Sequence, residues 1–275
     1  MVLLEALTVA LAGYLVRQPS PQRYLPGRIG AFYFLLKRIS GMIQLPQQFQ
    51  FVIRWIQKFA ELGMLNFVIM ALSRFSPGLL AVPETWTGKG LRTGKITWPM
   101  NLFWLPWMTA EQLIFHRITS AILNSKKPFL EKYNLVHSDK VHGDLYVGMW
   151  PGFFRNQLPP NIDLVVDMSN EYPESDEVIQ GRRYICCPIW DQAMPLDKER
   201  FVRTVEEAAF FKGNIYVHCG FGVGRSVLAV ICILMRRRIA SDYKEAYQMV
   251  KSVRPFVDLK SSAMEFLDEI SPRLL

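Results

Sequence analysis

One ten-residue run constrains this chain more than any other: Val217-His218-Cys219-Gly220-Phe221-Gly222-Val223-Gly224-Arg225-Ser226. A strand-like stretch, 214–218, leads into it, and an apolar helix-like stretch, 226–235, leads out. A strand, a tight glycine-rich loop and a helix start together cradle an anion. Successive backbone N–H groups converge there, and the helix dipole adds partial positive charge. A cysteine at the first loop position sits in that field, which predicts a thiol pKa well below the free value. Arg225 returns to the loop mouth with a planar fork matched to two phosphate oxygens. The run therefore predicts a thiolate beneath a bound phosphate, as cysteine-based hydrolysis of a phosphomonoester requires.

Most lone cysteines are buried hydrophobes. Cys232, inside the apolar run, fits that description, as do the adjacent Cys186 and Cys187 in a strand-like segment, 184–190. Cys219 does not, since it stands before three alternating glycines and an arginine. Neither the paired cysteines nor the four scattered histidines have the spacing of a metal knuckle, so no metal is expected.

His-Cys-x5-Arg-Ser on a strand–loop–helix resembles the signature of the protein tyrosine phosphatase superfamily. Residues 136–274 are most similar to its dual-specificity branch. The resemblance implies that Cys219 is the nucleophile and forms a phosphocysteine intermediate. It implies that Arg225 binds phosphate and stabilises the transition state, and that Ser226 assists departure of the thiolate. His218 would orient the loop and help lower the cysteine pKa. Gly220, Phe221, Gly222, Val223 and Gly224 would line the pocket floor. The family pattern also implies a general-acid aspartate on a loop upstream. Asp191, 28 positions before Cys219 and bracketed by Pro188 and Pro195, is the first candidate. Asp197 and Glu199 are the fallbacks, although Asp197 is the better-placed helix N-cap. No cofactor is implied.

Further elements agree with an α/β domain whose mostly parallel central sheet is flanked by helices. Residues 144–148 resemble the opening strand of dual-specificity domains, and 162–167 read as the next buried strand. Residues 242–253 have helical spacing and stop at Arg254-Pro255, and a second helix follows over 261–270.

The N-terminal half reads differently. Residues 1–130 hold 14 Lys and Arg against 4 Asp and Glu, whereas 131–275 hold 18 against 20. This shift, with a boundary expected between Ser125 and Val136, divides the chain into a helical, basic, apolar region and a catalytic domain. Three apolar stretches (2–16, 64–82 and 98–115) are each interrupted by charge or proline, so none is a clear transmembrane helix. Residues 31–62, broken by Pro46, mix aromatic and basic residues in a manner suited to an anionic membrane surface. A soluble helical extension and a cleaved targeting segment near the N-terminus are the alternatives. Nucleic acid is not an expected partner, because the cations are interleaved with bulky apolar residues and no nucleic-acid motif is present. Residues 85–95, with Gly88, Gly90 and Gly94, read as a flexible loop. Thiol chemistry places the catalytic half in a reducing compartment, cytoplasm or mitochondrial matrix.

The substrate is the open point. The pocket floor carries no lysine or second arginine, which favours a substrate with one phosphate. A phosphoprotein is the family expectation. A membrane lipid monophosphate is the alternative, since residues 167–172 faintly resemble the mitochondrial phosphatidylglycerophosphate phosphatases. A pseudophosphatase that binds phosphorylated partners is a third reading, although both Cys219 and Arg225 are retained. Cys186 and Cys187 are either buried strand residues or resolving thiols for an oxidised Cys219.

Overall fold

The computed structural model describes residues 4–6, 8–10, 12, 21–43, 46–47, 50–75, 84–100, 102–106, 138–154, 156–191, 193–255 and 257–275. The chain divides into two compact units, Met1–Val82 with Trp98–Ser120, and Pro83–Thr97 with Ala121–Leu275. The boundary expected between Ser125 and Val136 lies outside the described residues.

The first unit is built on two helices, α1 (Pro21–Met42) and α2 (Gln50–Phe75), with Pro46 in the connection between them. They run antiparallel. A Cβ on Gly30 would lie 2.6 Å from the Phe67 ring, and one on Gly63 would lie 2.5 Å from the Tyr33 ring. Each glycine thus admits an aromatic ring from the facing helix, and the two pairs run in opposite order along the chain. Lys37 pairs with Glu5 at 2.6 Å and Glu61 at 3.4 Å. Phe32, Leu35, Ile39 and Met42 recur at helical spacing on α1, yet all are exposed. Phe51, Val52, Trp55 and Leu65 are exposed on α2. Among the described residues, no helix is long and apolar enough to cross a membrane.

The second unit holds a five-stranded mixed sheet in the order β1-β2-β5-β3-β4. Its strands are β1 (Ser138–His142), β2 (Leu145–Gly148), β3 (Ile162–Ser169), β4 (Arg183–Ile189) and β5 (Asn214–His218). Only β1 and β2 pair antiparallel, and the other three pairings are parallel. The central strand β5 is buried at Ile215, Tyr216, Val217 and His218, as a parallel strand covered on both faces must be. The helices are α3 (Asp176–Ile179), α4 (Lys198–Ala209), α5 (Arg225–Arg236), α6 (Tyr243–Val253) and α7 (Ser261–Ile270). Every residue of α5 from Arg225 to Met235 is buried, which explains why this helix is apolar all round. Val227, Leu228, Ile231 and Leu234 join Leu145, Leu164, Val166, Val217 and Phe201 in the larger core. A smaller core on the other face gathers Ile162, Val165, Val178, Tyr184, Cys186 and Tyr216. Consecutive Cys186 and Cys187 fall in different cores, as strand alternation requires.

Residues 83–97 belong to this second unit, although their composition groups them with the basic N-terminal half. Residues 84–97 form a compact hairpin rather than a flexible loop. A 3₁₀ turn, Glu84–Thr87, leads into a bridge between Lys89 and Ile96. Leu91 O accepts the Cys186 N–H at 2.8 Å, on the side of β4 that no strand among the described residues covers. The hairpin therefore satisfies part of an edge that would otherwise be exposed.

Candidate active site

The loop from Cys219 to Gly224 joins the buried end of β5 to the first turn of α5. Gly222 has φ +69°, and a Cβ there would lie 2.5 Å from Gly148 O, so only glycine fits. This turn directs the Gly222 N–H onto Cys219 Sγ at 3.3 Å, and Ser226 Oγ lies 3.4 Å from the same sulfur. Gly224 caps α5 with no side-chain hydrogen bond, which leaves the helix-start amides facing the loop. Cys219 is buried, and Phe221 of the same loop is exposed.

The loop is held from outside by residues that its own spacing does not reveal. Arg254 is fully buried, donates from Nε to Gly222 O at 2.8 Å, and pairs with Asp139 through Nη1. The Trp150 N–H donates to Gly220 O at 3.1 Å, and the Trp150 ring stacks on Tyr172 with centroids 4.7 Å apart. Sequence reading treats Arg254 only as a helix end. In the structure it is the cation that fixes the loop's positive-φ turn.

Arg225 turns back toward Cys219 from the start of α5. Its guanidinium donates to Glu171 through both terminal nitrogens, at 2.7 and 2.6 Å, in a fork-to-fork pair. It also donates to Ile189 O at 2.8 Å and Asp191 Oδ1 at 3.1 Å. Burial opposes its charge, but the facing Glu171 and Asp191 carboxylates prevail and raise its pKa well above the usual arginine value. Glu171 is absent from the sequence-derived site, yet it orients the arginine fork. Its signal is an acidic residue just beyond the C-terminal end of β3, where parallel sheets place ligand-binding groups.

Asp191 follows β4, is 28% exposed and accepts from Arg225 at 3.1 Å. The two fallback acids are committed elsewhere. Asp197 caps α4 by accepting the Arg200 N–H at 2.8 Å, and Glu199 pairs with Arg273 at 2.7 Å. Cys219, Arg225, Ser226 and Asp191 therefore converge, whereas Asp197 and Glu199 do not join them.

His218 is fully buried and stacks on Tyr216. Its Nδ1 lies 3.9 Å from Asp167 and its Nε2 lies 3.5 Å from Glu174. Burial is the largest influence on Asp167 and works against its charge. The Lys89 ammonium and His218 still lower its pKa. Burial, reinforced by the charge of Asp167, pushes the Glu174 carboxyl up to about 8. Burial also pushes the Cys187 thiol up to about 12 and raises those of Cys186 and Cys232. Those three sulfurs stay protonated, as structural cysteines do.

Residues 145–271 match the family described as the dual specificity phosphatase catalytic domain. Dual specificity protein phosphatase MPK-4 of Drosophila melanogaster is 42% identical over 59 residues, which are 22% of this chain and 15% of that protein. Dual specificity protein phosphatase 16 of Homo sapiens is 30% identical over 125 residues, which are 43% of this chain and 18% of that protein. The chain thus spans less than a fifth of the length of either curated relative. Among solved structures, the active form of Tk-PTP is 25% identical with a TM-score of 0.41, over 50% of this chain and 97% of that one. Human DUSP28 is 23% identical with a TM-score of 0.41, over 50% and 95%. Glu171, Asp191, His218, Cys219, Arg225 and Ser226 all fall inside residues 145–271, the stretch that matches the dual specificity phosphatase catalytic domain.

Proposed function

We propose that the chain is a cysteine-dependent phosphatase of the dual-specificity type, acting on phosphoprotein monoesters. One observation carries this reading: the Cys219 sulfur lies under the Gly222 amide and beside Ser226, next to an arginine fork aligned by Glu171. In the proposed cycle the Cys219 thiolate attacks phosphorus and the ester P–O bond breaks. The leaving oxygen takes a proton from Asp191, since an alkoxide departs poorly without one. Arg225 and the loop amides stabilise the charge on the equatorial oxygens. Water then attacks the phosphocysteine and gives its proton to the Asp191 carboxylate. Inorganic phosphate leaves, and Ser226 receives the regenerated thiolate as a hydrogen-bond partner. The catalytic half works where thiols stay reduced, in cytoplasm or mitochondrial matrix.

A second reading, a lipid monophosphate substrate, is favoured by the first unit. It carries nine Lys and Arg against three acids, alongside exposed Phe32, Leu35, Phe51, Trp55 and Trp98. Basic helices with exposed aromatic faces suit the interface of an anionic membrane. We therefore assign this unit to a membrane surface.

The full chain should be assayed on an aryl phosphate, phosphotyrosine and phosphoserine peptides, and phosphatidylglycerophosphate in vesicles. Turnover of peptides above lipid supports the first reading, and the reverse order supports the second. Turnover that survives Cys219→Ser would remove both. Flotation with anionic but not neutral vesicles tests the surface assignment.

A further inference from the structure

We propose that Lys89 is a positioning residue of the catalytic loop, its ammonium being the internal cation that balances Asp167 and so holds His218 and the end of β3 in place. The inference rests on the phosphatase reading of the Cys219 loop. Lys89 lies outside the family match, 78 positions before Asp167.

The hairpin that carries Lys89 is tied to the sheet along its length. Glu84 accepts the Leu196 N–H at 3.0 Å, Gly94 O accepts the Glu174 N–H at 3.0 Å, and Arg92 pairs with Glu207 at 2.8 Å. Lys95 donates to Glu174 O at 3.0 Å. Gly94 has φ +63°, and a Cβ there would meet Glu174 at 2.8 Å and Tyr184 at 2.9 Å, so the turn is moulded to its neighbours.

The Lys89 ammonium is fully buried, bonded to Asp167 Oδ2 and to Ser169 O at 2.9 Å. The remaining Asp167 bonds come from the Tyr184 hydroxyl at 2.7 Å, and from the Ser169 N–H and hydroxyl at 2.8 and 2.6 Å. One polar atom each of Asp167, Glu174 and His218 lies within 4.8 Å of the others, and Lys89 is bonded to the first of the three. The groups facing this ammonium are Asp167 and Ser169 on β3, Glu174 after β3 and Cys186 on β4, while Tyr184 on β4 and His218 on β5 face Asp167. A carboxylate sealed in such a place needs a paired charge. Without Lys89 the carboxylate takes a proton itself or draws one onto His218, the residue before Cys219.

Two short covalent links carry the effect to the chemistry. Ser169, whose carbonyl Lys89 holds, is two residues before Glu171, the partner of Arg225. His218, which faces Asp167, precedes the nucleophile. One ammonium thus anchors both the strand end that aligns the arginine and the strand end that presents the sulfur.

The test uses the full chain with Lys89→Met, Lys89→Arg, Asp167→Asn and the Lys89→Met/Asp167→Asn double variant. Three readouts are taken: kcat and KM on an aryl phosphate, Cys219 alkylation rate against pH mapped by mass spectrometry, and His218 imidazole titration by NMR. Lys89→Met is expected to lower kcat about tenfold with KM nearly unchanged, short of the loss from removing a group that touches the reacting atoms. It should also change the His218 titration and displace the alkylation profile. Lys89→Arg should restore most of kcat. Because Lys89 acts through Asp167, the double variant should be closer to the native protein than either single variant. A Lys89→Met protein with native kcat, alkylation profile and His218 titration overturns the proposal. Additive defects in the double variant do the same. If Lys89→Met does not fold, Asp167→Asn against the double variant decides: the single must be the worse of the two. A native chain that never turns over phosphate fails the phosphatase reading instead, and the alkylation and NMR readouts still judge Lys89.

Discussion

Two buried cation–carboxylate pairs hang from the same strand end and differ in almost everything else. Arg225–Glu171 is a planar fork on a planar carboxylate, at the mouth of the loop, and its cation comes from the catalytic run itself. Lys89–Asp167 is a point charge on a carboxylate four residues earlier, sealed behind the loop, and its cation comes from an upstream hairpin. In the proposed cycle the first pair aligns the group that meets phosphate, and the second neutralises a charge behind it. Burial alone therefore says little about role, and the direction in which the cation's remaining donors point says more. Arg225 also reaches Asp191 at the rim, whereas Lys89 spends its bonds on Asp167 and on Ser169 O.

The largest expected difference between the pairs is catalytic. Arg225→Ala should lower kcat on an aryl phosphate by about 10³-fold or more, the scale of losing a preorganised transition-state donor. Arg225→Lys should not recover it, because a lysine lacks the bidentate fork. Next comes stability. Asp167→Ala leaves the Lys89 ammonium buried without its carboxylate, and urea unfolding should show a loss of about 3–5 kcal/mol. A loss below about 1 kcal/mol would mean that water reaches this cluster, and the contrast between the pairs would fade. Glu171→Gln should have a smaller effect, about 10-fold on kcat/KM, with weaker inhibition by inorganic phosphate, since Arg225 keeps its bonds to Ile189 O and Asp191.

The last expected effect is a slope, read per pH unit. Glu174, pushed up to about 8 from an ordinary value of 4.5, keeps a proton in the native state that the unfolded chain releases. Its contribution to stability is fully present below pH 4.5 and is lost as pH rises toward 8, by at most about 1.4 kcal/mol per pH unit. Urea midpoints for Glu174→Gln should therefore fall less between pH 5 and 8 than those of the native chain. A native slope that Glu174→Gln leaves unchanged would assign that proton to another group.

The legible parts of this molecule are the local ones. Cys219, Gly222 and Arg225 lie within seven consecutive residues, so glycine spacing and a strand–helix junction suffice to place them. The helices ending at Val253 and Ile270 follow from periodicity and from the Arg254-Pro255 stop. Pro46 likewise marks the connection between α1 and α2. Glu171, Arg254 and Lys89 escape that reading, because their partners lie 54, 32 and 78 positions away. No periodicity records such pairs. The hairpin at residues 84–97 is the clearest case, since Gly, Thr and Lys read as loop composition and its order comes from β3, β4 and the turn at Glu174.

The hairpin also changes what can be moved intact from one protein to another. A gene fusion cut at the edges of the matched segment would carry Cys219, Arg225 and Asp191, and leave Lys89 behind. The transplanted sheet would arrive with an anion locked in its interior and no counterion to answer it. On the proposed role of Lys89, the smallest portable catalyst is larger than residues 145–271, the stretch that matches the family.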